Sequence, residues 1–93
     1  MAARETIKVV ILLPQAERDF IYWQKHNSKQ LDRIRDLIEA TIIDPENGIG
    51  KPELLRYLKE ETFSRRIDRQ HRMVYSVEGN KLIIKQLRFH YQK

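Results

Sequence analysis

The spacing of apolar and polar residues changes along the chain and divides it into predicted strands and helices. Residues 7–13 form a short, β-branched apolar run that stops at Pro14, a pattern typical of a buried strand. In residues 14–26, Ala16, Phe20 and Trp23 recur at helical spacing, and proline is tolerated at the start of a helix. These patterns predict a strand followed directly by a helix.

A second helix is predicted after Asn27, which fits a capping box with Gln30 three residues later. Charged residues lie opposite an apolar stripe that repeats at helical spacing. The helix is predicted to end before Pro45, because the residue before a proline is disfavoured in the α region. The stripe consists of Leu31, Ile34, Leu37, Ile38 and Thr41.

The second half of the chain changes to short alternating runs. A loop with two glycines and two prolines occupies residues 44–52, and residues 53–58 are predicted to form a single helical turn. Turn residues then separate three predicted strands. The strands cover residues 63–67, 72–77 and 82–91, and the turns cover residues 68–70 and 78–80.

This order predicts an α+β domain in which two N-terminal helices pack on one face of a small antiparallel sheet. The 93 residues predict a single domain over residues 1–93, with residues 1–6 as a loose terminus. The other face of the sheet is predicted to be freer. Because the three-strand meander is rich in arginine, we expect that face to be basic.

Positive charge is concentrated in the second half. Residues 1–46 hold seven Lys/Arg and eight Asp/Glu, whereas residues 47–93 hold eleven and five. A one-sided basic balance attracts polyanions, of which nucleic acid is the commonest. A soluble protein that merely has a high isoelectric point fits the composition equally well.

The composition also limits the kinds of site and the compartment. The chain has no cysteine, which excludes disulfides and cysteine-ligated zinc or iron–sulfur sites. No apolar run is long enough to cross a bilayer, and the run at residues 9–13 is not followed by a small-residue cleavage site. We therefore expect a cytoplasmic protein without membrane association. No His/Asp/Glu cluster has metal-ligand spacing, so we expect no metal or other cofactor.

The residue types of the second half fit cleavage of RNA by its own 2′-hydroxyl. This reaction needs a base for the hydroxyl proton, an acid for the leaving 5′-oxygen, and cations against the charge on phosphorus. Arginine grips phosphate through paired N–H donors, and histidine donates protons near neutral pH. The candidates are Glu53 as base, His90 as acid, Arg65, Arg66 and Arg72 as phosphate ligands, and Tyr91 as a stacking or orienting group.

Each candidate also has a structural interpretation. Glu53 suits the first turn of a short helix, where the dipole stabilises a carboxylate. Arg65 and Arg66 alternate with Ile67 and fit exposed strand positions, and His90 fits a surface site near the C-terminus. Four neighbouring arginines are harder to explain in this way than one or two. We expect His26 and His71 to be structural, and Ser64 has no evident triad.

The register of the last hairpin decides whether Arg72 and His90 share a face. A three-residue loop at residues 78–80 pairs even-numbered residues with each other and puts both side chains on one face. A two-residue loop puts them on opposite faces. Gly79 suits either loop, so both registers stay open.

Several motifs together resemble the YoeB toxins, which belong to the RelE-like toxins of bacterial type II toxin–antitoxin systems. The resemblance extends from about the first strand to Tyr91. The order and close spacing of the motifs make the set specific, although each alone is weak. The motifs are YWQ at residues 22–24, GIGKPELL at 48–55, SRRID from Ser64, HRMVY ending at Tyr75, and RFHY at 88–91.

The resemblance implies a ribosome-dependent mRNA endonuclease that cuts in the A site and stops translation. Carried over by position, Glu53 is the general base, Arg72 the transition-state stabiliser and His90 the general acid, and Tyr91 helps to position the substrate. The resemblance also implies a YefM-type antitoxin as partner, and a homodimer. Contacts with mRNA or ribosomal RNA are implied for Lys51, Arg56, Arg65 and Arg66.

The chain departs from the family pattern between its motifs. The segment KEETF at residues 59–63 replaces a Leu-Ser-Gly stretch and an aromatic pair, and Glu60 and Glu61 add negative charge there. Two residues follow Tyr91, where the family often ends. Two other functions stay open, a ParE-like toxin that poisons DNA gyrase and a non-catalytic RNA- or partner-binding domain. Neither of them needs an acid–base pair.

Overall fold

The computed structural model describes residues 5–56 and 58–89. The elements are, in chain order, strand β1 (Val9–Leu12), helices α1 (Pro14–His26) and α2 (Ser28–Ile43), and strands β2 (Glu53–Leu54), β3 (Phe63–Arg66), β4 (Arg72–Glu78) and β5 (Lys81–Gln86). The α+β class and the succession of strand, two helices and strands are confirmed. The helical turn predicted at residues 53–58 is wrong in its first part, because residues 53–54 pair with β3 as a short strand.

Both helices bury the apolar stripes that their spacing predicted. α1 starts at Pro14, whose missing N–H costs nothing in a first helical turn, and it buries Ala16 and Trp23. α2 buries Ile34 and Leu37 in the same core. The helices therefore form the layer that covers one face of the sheet.

The capping box predicted at the start of α2 does not form. Asn27 precedes the helix, but its side chain makes no capping hydrogen bond. The Nε2 atom of Gln30 instead donates to Asp68 Oδ2 at 2.5 Å and links α2 to the turn between β3 and β4. The Asn27 N–H donates to Trp23 O at 2.9 Å, so this residue also ends α1.

The strands form one mixed sheet in the order β1-β5-β4-β3-β2. Strands β2 to β5 pair antiparallel, whereas β1 pairs parallel with β5. The prediction of an antiparallel sheet is therefore corrected at one edge. Because β1 continues into helices and not into a hairpin, no tight turn forces it to run antiparallel to its neighbour.

The core lies between the helices and one face of this sheet. Trp23 donates from Nε1 to Leu87 O at 2.9 Å, and the buried Asp19 accepts the Leu87 N–H at 3.0 Å. These two bonds tie α1 to the chain just beyond β5. The strand residues in the core are Phe63, Met73, Tyr75, Leu82 and Ile84.

A bulge changes the register between β4 and β5. After a two-residue turn at residues 79–80, Glu78 pairs with Lys81, so even-numbered residues face odd-numbered ones. Beyond the bulge, Val74 pairs with Gln86, and even-numbered residues face each other. The hairpin therefore begins with the pairing of a two-residue loop, in which even-numbered residues face odd-numbered ones. Near the start of β4 it has the pairing of even with even residues that we expected from a three-residue loop.

The face opposite the helices is less free than predicted. Lys85 Nζ contacts the carboxylate of Glu60 and donates to Thr62 Oγ1 at 3.2 Å. Because β4 lies between β5 and β3, these contacts pass over β4, where Val74 and Ser76 are buried. The KEETF segment thus covers part of this face, and the charge of Glu60 is paired within the chain.

Candidate active site

The strand register puts Glu53 at one end of a row of residues across the face opposite the helices. Glu53 pairs with Ser64, Ser64 with Val74, and Val74 with Gln86. Directly paired residues point to the same face, and neighbouring strands lie about 4.8 Å apart. Arg72 is two residues from Val74 on β4 and projects from the same face. The predicted base and the predicted transition-state stabiliser thus share one surface.

Arg72 has hydrogen-bond donors to spare on this surface. Its Nε donates to Ser64 Oγ at 2.8 Å, which directs the guanidinium toward the strand neighbour of Glu53. Its Nη2 is buried and has no hydrogen-bond partner within the described part of the chain. A buried donor without an acceptor is costly, and a phosphate oxygen would supply that acceptor.

Ser64 is a site residue that the sequence analysis missed. Its side chain is buried, and its hydroxyl accepts the Arg72 bond. By its sequence context alone, Ser64 is a candidate nucleophile without an evident triad. Ser64 and Arg66 are two residues apart on β3, so strand alternation puts both side chains on the face that carries Arg72. This spacing could have identified Ser64 from the sequence.

Two arginines face each other directly across β3 and β4. Arg66 pairs with Arg72, so both side chains project from the face that carries Glu53. Like charges at opposed positions destabilise a sheet, and an anion bound beside them removes that repulsion. Arg66 is exposed and Arg72 is half-buried, so an anion can reach the pair from solvent.

Arg65 points to the opposite face, so the structure does not bring it to the surface of Glu53 and Arg72, as its predicted RNA contact would require. Its side chain is fully buried, because it alternates with the core residues Phe63 and Ile67. Its guanidinium donates to four groups of the chain itself. The acceptors are the carbonyl oxygens of Asp44, Asn47 and Ile49 and the hydroxyl of Tyr75.

Lys51 and Arg56 lie on either side of β2, and both are exposed. Lys51 has a φ of 48° and follows Gly50, whose φ is 81°, so the chain enters β2 through two left-handed residues. Glu53 begins β2 and is also exposed. The structure therefore brings three of the predicted site residues to the β2 edge of the sheet.

His90 and Tyr91 lie outside the described residues, but the chain that leads to them is tied to β4. The Phe89 carbonyl accepts the Arg72 N–H at 3.2 Å, and the Phe89 N–H donates to His71 Nδ1 at 2.7 Å. Phe89 has a φ of 60°, which is strained for a bulky side chain. The last described residue thus lies beside the start of β4.

The turn before β4 is ordered by Asp68. Its Oδ1 accepts the N–H groups of Gln70 and His71, each at 2.8 Å. Burial raises the pKa of Asp68, but these bonds and that from Gln30 outweigh it, so the pKa lies below its ordinary value of 3.8. The ionised carboxylate therefore holds the turn that leads into Arg72.

The described residues include neither a metal-binding cluster nor a membrane-spanning helix. Within residues 5–56 and 58–89, no group of three or more His, Cys, Asp or Glu residues could hold a metal ion. In the same part of the chain, neither helix is long and apolar enough to span a membrane. The absence of a metal from the reaction stays a prediction.

The sequence profile of the YoeB-like toxin of bacterial type II toxin–antitoxin systems matches residues 13–91. The chain belongs to this family. The resemblance drawn from its motifs is therefore confirmed. The fold and the surface that Glu53 and Arg72 share are therefore those of a YoeB-like toxin.

Individual relatives of this YoeB-like toxin agree in sequence and in fold. Toxin YoeB from Synechocystis sp. is 44% identical over 75 residues, which cover 81% of this chain and 87% of that protein. The YoeB dimer from Staphylococcus aureus superposes with a TM-score of 0.82 at 34% identity, over 96% of this chain and 100% of that one. The heterotetrameric YoeB–YefM complex from the same organism gives 0.78 at 34% identity, with the same coverage.

Proposed function

We propose that this YoeB-like toxin is a ribosome-dependent endoribonuclease. It acts in the cytoplasm, cuts mRNA in the ribosomal A site and thereby inhibits translation. The nucleophile is the 2′-hydroxyl of the RNA itself, and the arginines supply the positive charge that this reaction requires. The proposal therefore needs no metal and no other cofactor.

Each proposed catalytic residue has one role in the reaction. Glu53 accepts the proton of the 2′-hydroxyl, whose oxygen then attacks phosphorus. Arg72 stabilises the charge that grows on the phosphate oxygens, and His90 protonates the departing 5′-oxygen. Tyr91 positions the substrate.

The unpartnered donor of Arg72 is the observation that carries this proposal. Its buried Nη2 lies on the surface that also presents Glu53, and Arg66 opposes it across the strand pair. This combination favours a bound phosphate beside a carboxylate. A carboxylate and a phosphate ligand on one surface are what general-base attack on a phosphodiester requires.

The RNA contacts are proposed for the exposed cations around this surface. They are Lys51, Arg56 and Arg66, each of which is exposed. Arg65 is left out because its guanidinium is used within the chain. Contacts with phosphate position RNA without reading its sequence.

We also propose a YefM-type antitoxin as partner, and a homodimer. The relative from Staphylococcus aureus is known as a YoeB dimer and in a heterotetrameric YoeB–YefM complex. An extended antitoxin segment with acidic and apolar residues would complement the basic face that carries Arg66 and Arg72. Such a segment would cover the proposed site.

A toeprint of a defined mRNA on purified ribosomes tests the proposed activity. We expect wild-type protein to cut in the A-site codon, and Glu53→Ala and His90→Ala to cut far more slowly. Arg35→Ala is the matched control, because Arg35 is an exposed cation on α2 whose side chain contacts Asp32. All variants should retain the wild-type unfolding midpoint.

The outcomes separate the alternatives. No cut by folded wild-type protein would contradict the nuclease, and inhibition of purified DNA gyrase would then support a ParE-like toxin. Cutting that survives both Glu53→Ala and His90→Ala would contradict the proposed acid–base pair. Ribosome binding without cutting by wild-type protein would leave a non-catalytic RNA-binding domain.

A further inference from the structure

We propose that Arg65 is a positioning residue, which holds the loop at residues 44–51 and thereby sets the place of Glu53. In its catalytic consequence this inference rests on the proposed function, because it takes Glu53 as the base. The structural part, that the buried guanidinium holds the loop at residues 44–51, does not depend on the proposed function.

The guanidinium of Arg65 is the centre around which the loop is built. Nη2 donates to Asp44 O at 2.5 Å and to Asn47 O at 2.9 Å, and Nη1 donates to Ile49 O at 2.9 Å. One side chain thus satisfies three carbonyls spread over six residues. The planar guanidinium has donors on three nitrogens in a fixed fork, which lysine does not.

Tyr75 extends the same network from β4. Its hydroxyl accepts the Arg65 Nε–H at 3.1 Å and donates to Pro45 O at 2.5 Å. Burial raises the pKa of Tyr75, although its bond from Arg65 acts in the opposite direction. The phenol therefore remains protonated and keeps its role as donor to the loop.

Two glycines allow the loop to lie this close to Arg65. A Cβ on Gly48 would lie 3.2 Å from Arg65 Nη1, and Gly48 has a φ of 118°. A Cβ on Gly50 would lie 3.1 Å from Arg65 Cβ and 2.8 Å from Leu37 Cδ2. The two glycines of the GIGKPE motif thus fit the loop to the buried arginine.

The held loop leads directly to the base. The Arg66 N–H donates to Gly50 O at 2.7 Å, and Glu53, three residues later, pairs with Ser64. Two residues of β3 therefore hold this part of the chain, Arg66 at Gly50 and Ser64 at Glu53, while the Arg65 side chain fixes the loop before them. A displaced loop would move Glu53 relative to Ser64 and Arg72.

The hydrogen bonds of Arg65 indicate a role beyond filling the core. Within the described residues its charge is hydrogen-bonded to neutral carbonyls and a phenol and to no carboxylate. Burying a charge is costly, and even a buried ion pair can often be replaced by well-packed apolar residues of similar volume without loss of stability. What they cannot replace is the set of directional bonds that gives the loop one conformation.

The test compares Arg65→Lys with wild-type protein in single-turnover cleavage on programmed ribosomes. We expect the rate at saturating toxin to fall by more than about tenfold, because small misplacements of reacting groups cost up to about 100-fold. The half-saturating concentration should change by less than about threefold, since the exposed cations remain. A folded Arg65→Lys that cuts at the wild-type rate would overturn the inference.

Arg33→Lys is the matched control. Arg33 also donates to backbone carbonyls, those of Arg66 and Ile67, but it does not hold the loop. We expect its saturating rate to stay within about threefold of wild type, because no displacement of residues 44–51 follows. Equal losses in both variants would reduce Arg65 to one of several structural arginines and overturn the proposal.

Hydrogen exchange provides a readout that needs no cleavage. In Arg65→Lys, the amides of residues 46–51 should exchange at least about tenfold faster, while those of β4 and β5 stay within about threefold. Tyr75→Phe should give a smaller change of the same kind, and it decides the matter if Arg65→Lys does not fold. Unchanged exchange in the loop would contradict the structural part even if wild-type protein proves to be no nuclease.

Discussion

Arg65 and Arg72 stand on neighbouring strands but on opposite faces of the sheet, and their donors are used differently. Arg65 gives four hydrogen bonds to the chain itself. Arg72 gives one side-chain bond, to Ser64, and keeps a buried nitrogen without a partner within the described residues. The described fold satisfies the donors of Arg65 at three of its nitrogens, whereas it leaves one nitrogen of Arg72 for the phosphate that we propose to bind there.

This difference teaches how to tell a structural cation from a site cation. Charge does not separate the two residues, and neither is exposed, although Arg65 is fully buried and Arg72 is half-buried. The number of donors left without an acceptor does separate them.

Removal of the Arg72 guanidinium should give the largest effect. We expect Arg72→Ala to lower the single-turnover cleavage rate roughly 10²–10³-fold, the usual loss when one donor to a developing oxyanion is removed. Its free energy of unfolding should change by less than about 1 kcal/mol, because one hydrogen bond is lost and the repulsion from Arg66 is relieved. Urea unfolding and ribosomal cleavage measure the two quantities.

The control for that prediction is Arg35→Ala on the exposed side of α2. It should leave both the cleavage rate and the stability close to wild type. If Arg72→Ala instead lost stability and kept its rate, the contrast between the two arginines would be reversed.

Arg65→Ala should show the opposite pattern in stability. The substitution leaves three carbonyls and a phenol without their donor, so we expect the free energy of unfolding to fall by about 3 kcal/mol. Chemical denaturation followed by the fluorescence of the buried Trp23 measures the change. A loss below about 1 kcal/mol would mean that water replaces the guanidinium and that the loop is held by other contacts.

Acid should weaken the turn that supports Arg72. The folded pKa of Asp68 is lowered by its hydrogen bonds, so its contribution to stability is complete above the ordinary value of 3.8 and is lost as pH falls through the folded pKa. Asp68→Asn should remove this contribution and flatten the decline of stability below about pH 4. Unfolding midpoints between pH 2 and pH 6 provide the measurement, and parallel curves for both proteins would contradict it.

The smallest effect concerns salt. Arg66 is exposed and proposed to contact phosphate, so Arg66→Ala should reduce the slope of log affinity against log salt by about 0.7 on single-stranded RNA. Filter binding from low to moderate salt measures the slope. Arg65→Lys should leave the slope unchanged, because that side chain reaches no phosphate. Equal slopes for wild type and Arg66→Ala would remove Arg66 from the contacts.

The elements were predictable because they depend on local spacing. The stripes of α1 and α2 repeat at 3.6 residues, and proline marks the start of α1 and follows the end of α2, so the helices appear where expected. The short β2 was not predictable, since Glu53 and Leu54 become a strand only by pairing with β3. Pairing across residues far apart leaves no local pattern.

The site was predictable in residue type and only partly in geometry. Glu53 and Arg72 do share one surface through the pairing of β2, β3 and β4. The pairing of β4 with β5, in contrast, depends on a bulge that no composition signals. The burial of Arg65 was legible, because strand alternation groups it with Phe63 and Ile67. Its charge, in contrast, predicts solvent exposure. Its burial depends on the carbonyl oxygens of a loop far away in sequence, which accept hydrogen bonds from the guanidinium.

The parallel pairing of β1 with β5 bears on how the chain is made. Val9 pairs with Lys81, 72 positions later, and Asp19 and Trp23 bond to Leu87. Pairings across such separations form slowly, because a long loop must close first. A chain that emerges N-terminus first must hold β1 unpaired until β5 has been synthesised. The sheet can therefore be completed only after the helices and all the other strands have left the ribosome.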